Sequence, residues 1–151
     1  VAIQIAKLYG AHVIAITTSE EHAQLAREMG ADDVIMTNRN YDNLENYQES
    51  ANSVIVFSPS QKALDISLKL TKKKGIMVMG VFGDLHDLRF VKEIKIKGSV
   101  IGPRSDMKEV LNLASKGKIK LRVTKFSMSE ANEVLKMLKD GKIVGRAVLL
   151  P

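Results

Sequence analysis

Ile76-Met77-Val78-Met79-Gly80-Val81 is a run of six residues without a polar side chain. A strand this apolar has both faces covered, which is typical of a parallel sheet with helices on either side. Two more runs rich in β-branched residues, His12–Thr17 and Val54–Phe57, predict buried strands of the same kind. The pattern therefore predicts an α/β protein with a mainly parallel sheet.

Amphipathic helical segments separate these strands. Ser19 is placed to cap a helix over Glu20–Met29, whose first turn holds acidic residues that the helix dipole favours. Gly10 and Gly30 stand where glycine commonly ends a helix. The other predicted elements are helix Val1–Tyr9, strand Val34–Met36, a weak helix within 38–50, a helix from Ser60 to Leu70, a turn Lys72–Gly75, a loop 83–92, strand Ile94–Ile101 interrupted by Gly98, helix Asp106–Lys116 capped by Ser105, helix Glu130–Lys139 capped by Ser129, and strand Ala147–Leu150.

The composition of the 151 residues is that of a globular domain, with 45% hydrophobic and 26% charged residues. No apolar run approaches the roughly 18 residues that a membrane helix needs. The start, Val1–Lys7, is amphipathic and lacks the basic region of a signal peptide. Because cysteine is absent, disulfides and cysteine-ligated zinc are excluded within this chain. We expect a cytoplasmic protein without a membrane partner.

Charge is spread unevenly along the chain. Residues 1–60 hold 3 basic and 8 acidic residues, whereas residues 61–151 hold 20 basic and 9 acidic residues. A basic half can indicate nucleic-acid binding. Here the lysines are scattered, and only 5% of residues are aromatic, so no base-stacking platform is available. We interpret the lysines as a solvated surface and expect no nucleic-acid partner.

The first predicted element is a helix with no strand before it. A doubly wound sheet of strand order 3-2-1-4-5-6 binds its nucleotide beside the first strand-to-helix turn. In that order the absent strand would be the central one. We therefore expect an incomplete Rossmann-type sheet in which the first strand and its glycine loop are missing, and a sequence that is a piece of a longer chain.

Four stretches carry a resemblance, in order along the chain. Val1–Lys7 resembles a helix that follows a glycine fingerprint, and Glu20–Asp32 resembles a second helix with its Gly-Ala-Asp turn. Lys97–Asp106 resembles a Gly-Ser-x-x-Gly-x-Arg-x-Asp stretch, and Ser129–Val148 resembles a closing helix, turn and strand. All belong to the medium-chain dehydrogenases/reductases, the zinc-type alcohol dehydrogenase superfamily. The resemblance covers essentially the whole chain.

This resemblance implies an NAD(P)-binding domain over residues 1–116 and a closing segment over 117–151 that returns toward a catalytic domain. The family's G-x-G-x-x-G fingerprint and its zinc ligands have no counterpart in this sequence. No catalytic residue and no metal ligand are therefore assigned to this chain. By itself it is expected to bind cofactor poorly and to be inactive, with zinc supplied by the rest of the parent enzyme.

Thr17 is the most informative position for the cofactor. In this fold an acidic residue at the end of the second strand binds the adenosine ribose of NAD. Thr17, followed by Thr18, carries no such charge, which permits the 2′-phosphate of NADP. Ser19 and His22 could contact that phosphate, so NADP is slightly favoured over NAD. The alternative interpretation is a plain strand end and helix cap with an exposed histidine.

Further cofactor contacts follow from the resemblance. The arginine of the closing Gly-Arg phrase, Arg146, would reach the pyrophosphate, where a guanidinium can bind two oxygens. Phe57 and Ser58 would flank the adenosine ribose, although Ser58 departs from the family pattern. Arg104 would lie near the cofactor or serve the loop structurally. The nicotinamide would be held by groups around Met79, Gly80, Val81, Ser99 and Ile101.

The activity that the resemblance implies is hydride transfer between NAD(P)H and an alcohol–aldehyde or alcohol–ketone pair, with zinc polarising the substrate oxygen. One alternative is a zinc-free NADPH-dependent quinone or enoyl reductase. An alternative from another class is a non-catalytic nucleotide-binding or scaffold module. The expected partners are a small-molecule substrate and further copies of the chain, in a homodimer or homotetramer formed through the edge strand 94–101.

Overall fold

The computed structural model describes all 151 residues, which form two compact units. The first unit comprises residues 1–36 and 108–151, and the second comprises residues 37–107. The helices and strands, in chain order, are α1 Ala2–Leu8, β1 Ile14–Thr17, α2 Glu20–Glu28, β2 Asp33–Met36, β3 Ala51–Val56, α3 Gln61–Leu70, β4 Thr71–Met79, β5 Lys95–Gly98, α4 Arg104–Ser115, β6 Val123–Ser127, α5 Ala131–Lys139 and β7 Arg146–Leu150.

The strands form three sheets, ordered β1-β2, β3-β4-β5 and β6-β7, and every strand pair is parallel. The predicted α/β class with parallel pairing is thus confirmed. The first two sheets have the neighbour relations 3-2 and 4-5-6 of the doubly wound order, without its strand 1. The outer strand β5 lies at a sheet edge, as predicted. None of the helices combines the length and apolar character that crossing a membrane requires.

In the first unit, α2 packs on β1 and β2 through two buried alanines, Ala23 and Ala26. The predicted cap is confirmed, because the Ser19 hydroxyl accepts a hydrogen bond from the backbone N–H of His22. Burial of β1 was overestimated, since Ile14 and Ile16 remain 41% and 37% exposed. The reason is that Ile14 and Ile16 share one face of β1, and α2 is the one helix with extensive contacts to this strand, so the other face stays open.

The second unit contains the main hydrophobic core. Leu64 and Leu68 of α3 pack with Val56 of β3 and Met77 of β4, and all four side chains are buried. The central strand β4 pairs with β3 on one side and β5 on the other. The end of α3 is capped by a lysine from a later segment. Nζ of Lys92 donates to carbonyl oxygens in the last turn of the helix, including that of Leu68 at 3.1 Å.

A large bulge interrupts the pairing of β3 with β4. Ala51 pairs with Thr71, but Ser53 pairs with Ile76, so the single residue Asn52 stands opposite residues 72–75. Lys74 takes a left-handed conformation there, with φ of +62°. The prediction of a turn at Lys72–Gly75 is therefore wrong, because these four residues form a bulge within the single strand β4.

Several other predicted boundaries are corrected. Strand β5 ends at Gly98, so the predicted continuation to Ile101 is wrong, and α4 begins at Arg104 rather than at Asp106. Ser129 does not cap α5: its N-cap residue is Glu130, and Ser127 forms a capping box with Glu130 on the 3-10 turn Met128–Glu130 that leads into the helix. Strand β6 was not predicted at all.

Candidate functional site

The carboxyl ends of three parallel strands lie side by side in the second unit. Val56 of β3 is in register with Met79 of β4, which is in register with Gly98 of β5. The backbone N–H of Gly80 donates to the Val56 carbonyl at 2.9 Å, and the Ser99 N–H donates to the Met79 carbonyl at 2.8 Å. This edge of the sheet therefore brings together the chain segments that begin at Phe57, Gly80 and Ser99.

The ring of Phe57 lies over the backbone of Gly80. A Cβ added to Gly80 would stand 2.5 Å from the Phe57 Cδ1 atom and 3.3 Å from the Val56 carbonyl oxygen. Phe57 is nevertheless 62% exposed, so one face of the ring is open to a ligand. The neighbouring Ser58 hydroxyl is 3.5 Å from the Tyr41 hydroxyl. Glycine at position 80 thus allows the Phe57 ring to pack directly against the backbone.

The two remaining predicted residues of this unit lie beyond the sheet. Ile101 is 91% exposed, in the segment between β5 and α4. Arg104 is exposed at the first residue of α4 and makes no hydrogen bond or ion pair. Its guanidinium is free to bind an anion. Val81 and Met79, by contrast, are half-buried beside the core.

In the first unit, the predicted residues at the end of β1 form a small polar group. Thr17 is the last residue of β1 and is half-buried, and Thr18 is exposed. The Ser19 hydroxyl lies 2.7 Å from Nδ1 of His22. The two side chains predicted to meet a 2′-phosphate are therefore hydrogen-bonded to each other. If Nδ1 carries the proton, it donates to Ser19, whose hydroxyl hydrogen can then point to the carboxylate of Glu21.

Glu21 was not predicted as part of this group. Its own backbone N–H and, second, the Ser19 hydroxyl hold the pKa of the Glu21 carboxyl below its usual range. The carboxylate thus bears a negative charge next to Ser19, where it would disfavour a phosphate. The sequence does place Glu21 two residues after the cap Ser19. Its acidic side chain was explained from the sequence only by the helix dipole, and not by a contact with Ser19.

Arg146 opens β7 in the same unit. Its backbone N–H donates to the Arg122 carbonyl at 2.9 Å, and Nη1 donates to the Gly145 carbonyl at 2.9 Å. The side chain is exposed and its other N–H groups are free for an anion.

Gly145 fixes the position of Arg146. It adopts φ of +93°, which side-chain-bearing residues rarely take, and an added Cβ would collide with the carbonyl oxygen of Arg122. The glycine before the arginine is therefore required by two independent constraints.

Gln61, which sequence reasoning missed, holds the segment that follows Gly80. Its side-chain amide pairs with the backbone of Asp84, accepting from the N–H at 3.1 Å and donating to the carbonyl at 2.7 Å. The partner is 23 residues away, so no local sequence pattern could have indicated this contact. Elsewhere, no group of three or more histidines, cysteines or acidic residues could hold a metal ion.

Comparison with known proteins places this geometry in a family. Residues 1–116 match the zinc-binding dehydrogenase family. The chain is 37% identical to the NAD-dependent alcohol dehydrogenase of Saccharolobus solfataricus, over 99% of this chain and 46% of that protein. The chain thus spans about half the length of the curated relatives it matches.

Solved structures of dehydrogenases and reductases have the same fold as this chain. The alcohol dehydrogenase of Aeropyrum pernix has a TM-score of 0.89 at 29% identity, covering 99% of this chain and 46% of that one. An acetophenone reductase from Geotrichum candidum, solved in complex with NAD, has a TM-score of 0.87 at 34% identity, covering 99% of this chain and 44% of that one. On its sequence and its fold, the chain belongs to the zinc-binding dehydrogenase family.

Proposed function

We propose that this chain is the cofactor-binding part of an NAD(P)-dependent oxidoreductase that interconverts an alcohol and an aldehyde or ketone. The observation that carries the proposal is the alignment of three strand ends at one edge of the β3-β4-β5 sheet. In open α/β sheets, ligands bind at the carboxyl ends of the strands. The family match over residues 1–116 supports the same interpretation.

The residues at this edge fit a nicotinamide group. Because Gly80 has no side chain, the Phe57 ring can lie directly against its backbone, and that ring is still 62% exposed. In this proposal the backbone around Met79, Gly80, Val81, Ser99 and Ile101 binds the ring and its carboxamide, while Phe57 and Ser58 flank the adenosine ribose. A bound nicotinamide would supply the hydride chemistry, and these residues would orient it.

The first unit would bind the adenosine and phosphate groups. Thr17, Thr18, Ser19 and His22 would face the adenosine ribose, and the free N–H groups of Arg146 would bind pyrophosphate oxygens. Arg104 is the second arginine available for an anion. In domain terms, residues 1–116 would carry the cofactor, and residues 117–151 would return toward the catalytic part of the protein.

Either nicotinamide cofactor fits this proposal, and two observations point in opposite directions. Thr17 lacks the carboxylate that would repel a 2′-phosphate, which favours NADP. The ionised Glu21 beside Ser19 favours NAD, and a relative 37% identical to this chain is named as NAD-dependent. The preference for NADP inferred from Thr17 stays a prediction until both cofactors are measured.

Zinc would act in the rest of the protein, polarising the substrate oxygen as a Lewis acid. No residue of this chain is proposed as a catalytic residue or a metal ligand. A zinc-free NADPH-dependent reductase of quinones or enoyl groups is the second candidate, favoured by the absence of a carboxylate at Thr17. A cytoplasmic location is part of the proposal and rests on the lack of cysteine.

Assembly into a dimer or tetramer is proposed through the outer edge of β5. Its backbone groups have no neighbouring strand on that side, and Val100 and Ile101 beyond it are 83% and 91% exposed. Such an edge can pair with a second copy of itself. The mass of the protein in solution, measured by light scattering, tests this.

The decisive experiment uses the protein expressed from its complete gene. Oxidation of a panel of primary and secondary alcohols is followed with NAD and with NADP, and bound zinc is measured in the same preparation. Alcohol-dependent reduction of either cofactor supports the proposal. Activity confined to quinones or enoyl compounds in a zinc-free protein supports the second candidate. A protein that binds neither cofactor would overturn both and leave the non-catalytic alternative.

A further inference from the structure

The backbone of the segment that leaves β4 is hydrogen-bonded to α3 through one side-chain amide. Residues 81–88 form no helix or strand, and Phe82 within them is almost fully exposed. Gln61, the first residue of α3, closes a ring of two hydrogen bonds with the backbone of Asp84, at 3.1 Å and 2.7 Å. We call this pairing of Gln61 with Asp84 the amide clamp.

The orientation of the clamp is itself fixed. Nε2 of Gln61 has a second hydrogen, which it donates to Oδ1 of Asp65 at 3.0 Å, one turn further along α3. An ionised carboxylate can only accept, so Asp65 determines which end of the Gln61 amide is nitrogen. His86 adds a contact from the segment itself, with Nδ1 at 3.3 Å from the same Asp65 oxygen.

Packing provides a second anchor beside the clamp. Gly83 lies so close to Leu64 that an added Cβ would collide with the leucine side chain, and it would stand 3.0 Å from Oε1 of Gln61. Leu64 is fully buried in the core. The backbone at residues 83–84 is therefore pressed onto α3 by apolar contact and oriented there by the amide.

We propose that Gln61 is a positioning residue for the nicotinamide half of the cofactor. By holding Asp84, it sets the direction in which the chain leaves Gly80 and Val81, and hence where their backbone groups point at the carboxyl edge of the sheet. The inference rests on the proposed function, because it takes that edge to be the nicotinamide site. The side chain of Gln61 has its hydrogen-bond partners at Asp65, Asp84 and His86, none of which is assigned to the adenosine half.

This division gives the proposal a test that a general loss of stability would not mimic. ADP-ribose, or its 2′-phosphate if the protein uses NADP, lacks the nicotinamide ring but keeps the adenosine and phosphate groups. In the protein expressed from its complete gene, Gln61→Ala should raise the dissociation constant of NAD(P)H roughly tenfold, because cofactor binding must then order the released segment. Binding of the ADP-ribose compound should stay within about twofold of wild type.

Two variants complete the comparison. Gln48→Ala removes an exposed glutamine whose side chain makes no hydrogen bond, and it should change neither dissociation constant. Gln61→Glu keeps the volume and the acceptor but cannot donate to the Asp84 carbonyl. It should reproduce the selective loss of NAD(P)H binding, and it serves if Gln61→Ala does not fold.

The outcomes separate the two proposals. A selective loss of NAD(P)H binding in the Gln61 variants supports the clamp. Unchanged NAD(P)H binding, or an equal loss for both ligands, overturns it while leaving the proposed function in place. A wild-type protein that binds no NAD(P)H at all overturns the proposed function and this inference together.

Discussion

The two units stabilise their parallel sheets in different ways. In the second unit, β4 has neighbours on both sides and α3 above it, and Leu64 and Met77 are fully buried. In the first unit, β1 has one neighbour, and its isoleucines at 14 and 16 are more than a third exposed. The contrast shows that an apolar run becomes a buried strand where packed elements cover its faces, as α3 covers the core side of β3 and β4.

Replacing a core leucine should give the largest effect. Leu64→Ala removes a fully buried side chain and leaves a cavity, so it should lower the free energy of unfolding by about 2–5 kcal/mol. Ile16→Ala, on the half-exposed β1, should cost about 1 kcal/mol. Urea unfolding measures both. Equal losses would mean that Ile16 of β1 is as buried as Leu64 of α3 in the intact protein, and the contrast between the units would fail.

The next effect tests the glycines that each unit uses for close contacts. Gly145→Ala places a Cβ against the backbone carbonyl of Arg122 at a φ of +93°, and it should cost about 2–3 kcal/mol. Gly80→Ala meets chiefly the exposed ring of Phe57, which can rotate away, and should cost less than about 1 kcal/mol. Thermal unfolding of the two variants checks the order, and a reversed order would contradict it.

A charge at the end of β1 should change cofactor choice. Thr17→Asp places a carboxylate where it can bind the ribose hydroxyls of NAD and repel the 2′-phosphate of NADP. The ratio of the NADP to the NAD dissociation constant should rise about tenfold, or 1.4 kcal/mol. Thr124→Asp on the exposed strand β6 adds the same charge and should leave the ratio unchanged. If both variants behave alike, Thr17 does not face the cofactor.

The smallest effect concerns a polar contact that supports the first unit. Asp32 accepts from Lys7 Nζ at 2.7 and 2.8 Å and from the Val13 N–H at 2.7 Å, and these contacts hold the pKa of its carboxyl below the usual 3.8. A carboxyl with a lowered pKa stabilises the fold above its ordinary pKa, and this is lost as the pH falls through the lowered value. Asp32→Asn should therefore lower the melting temperature at pH 7 and lose that difference in strong acid.

A control for this pH effect lies in the other unit. Asp87→Asn removes an exposed carboxylate without an ion pair, at a left-handed position that asparagine tolerates. Its melting temperature should follow wild type at both pH values. A difference for Asp32→Asn that is independent of pH would show that its ionised form is not what stabilises the unit.

Sequence patterns predicted the elements that bury continuous apolar runs. The strands around Ile16, Val56 and Met77 and the helix that Ser19 caps all form as expected. Strand β6 was missed because polar residues such as Lys125 interrupt its pattern, which is what an exposed strand tolerates. The apolar residues Val100 and Ile101 led to the opposite error. They were predicted to continue a strand, but both are exposed and lie outside any strand.

The candidate site was predictable only in part, for a physical reason. Positions that follow a strand, such as Thr17, Phe57 and Gly80, can be located because the strand itself is visible in the sequence. The Gln61 clamp and the ionised Glu21 beside Ser19 depend on where backbone and side chains meet after folding. Contacts between distant residues leave no periodic signal along the chain.

The bulge opposite Asn52 has a consequence for how the chain tolerates change in length. Four residues, 72–75, stand against one there, and the register that follows brings Val56 level with Met79. Inserting or deleting a lysine among residues 72–74 can be absorbed within this loosely paired segment. The carboxyl ends of β3 and β4 then keep their alignment. A change of length in the bulge therefore leaves the geometry of the proposed cofactor site unchanged.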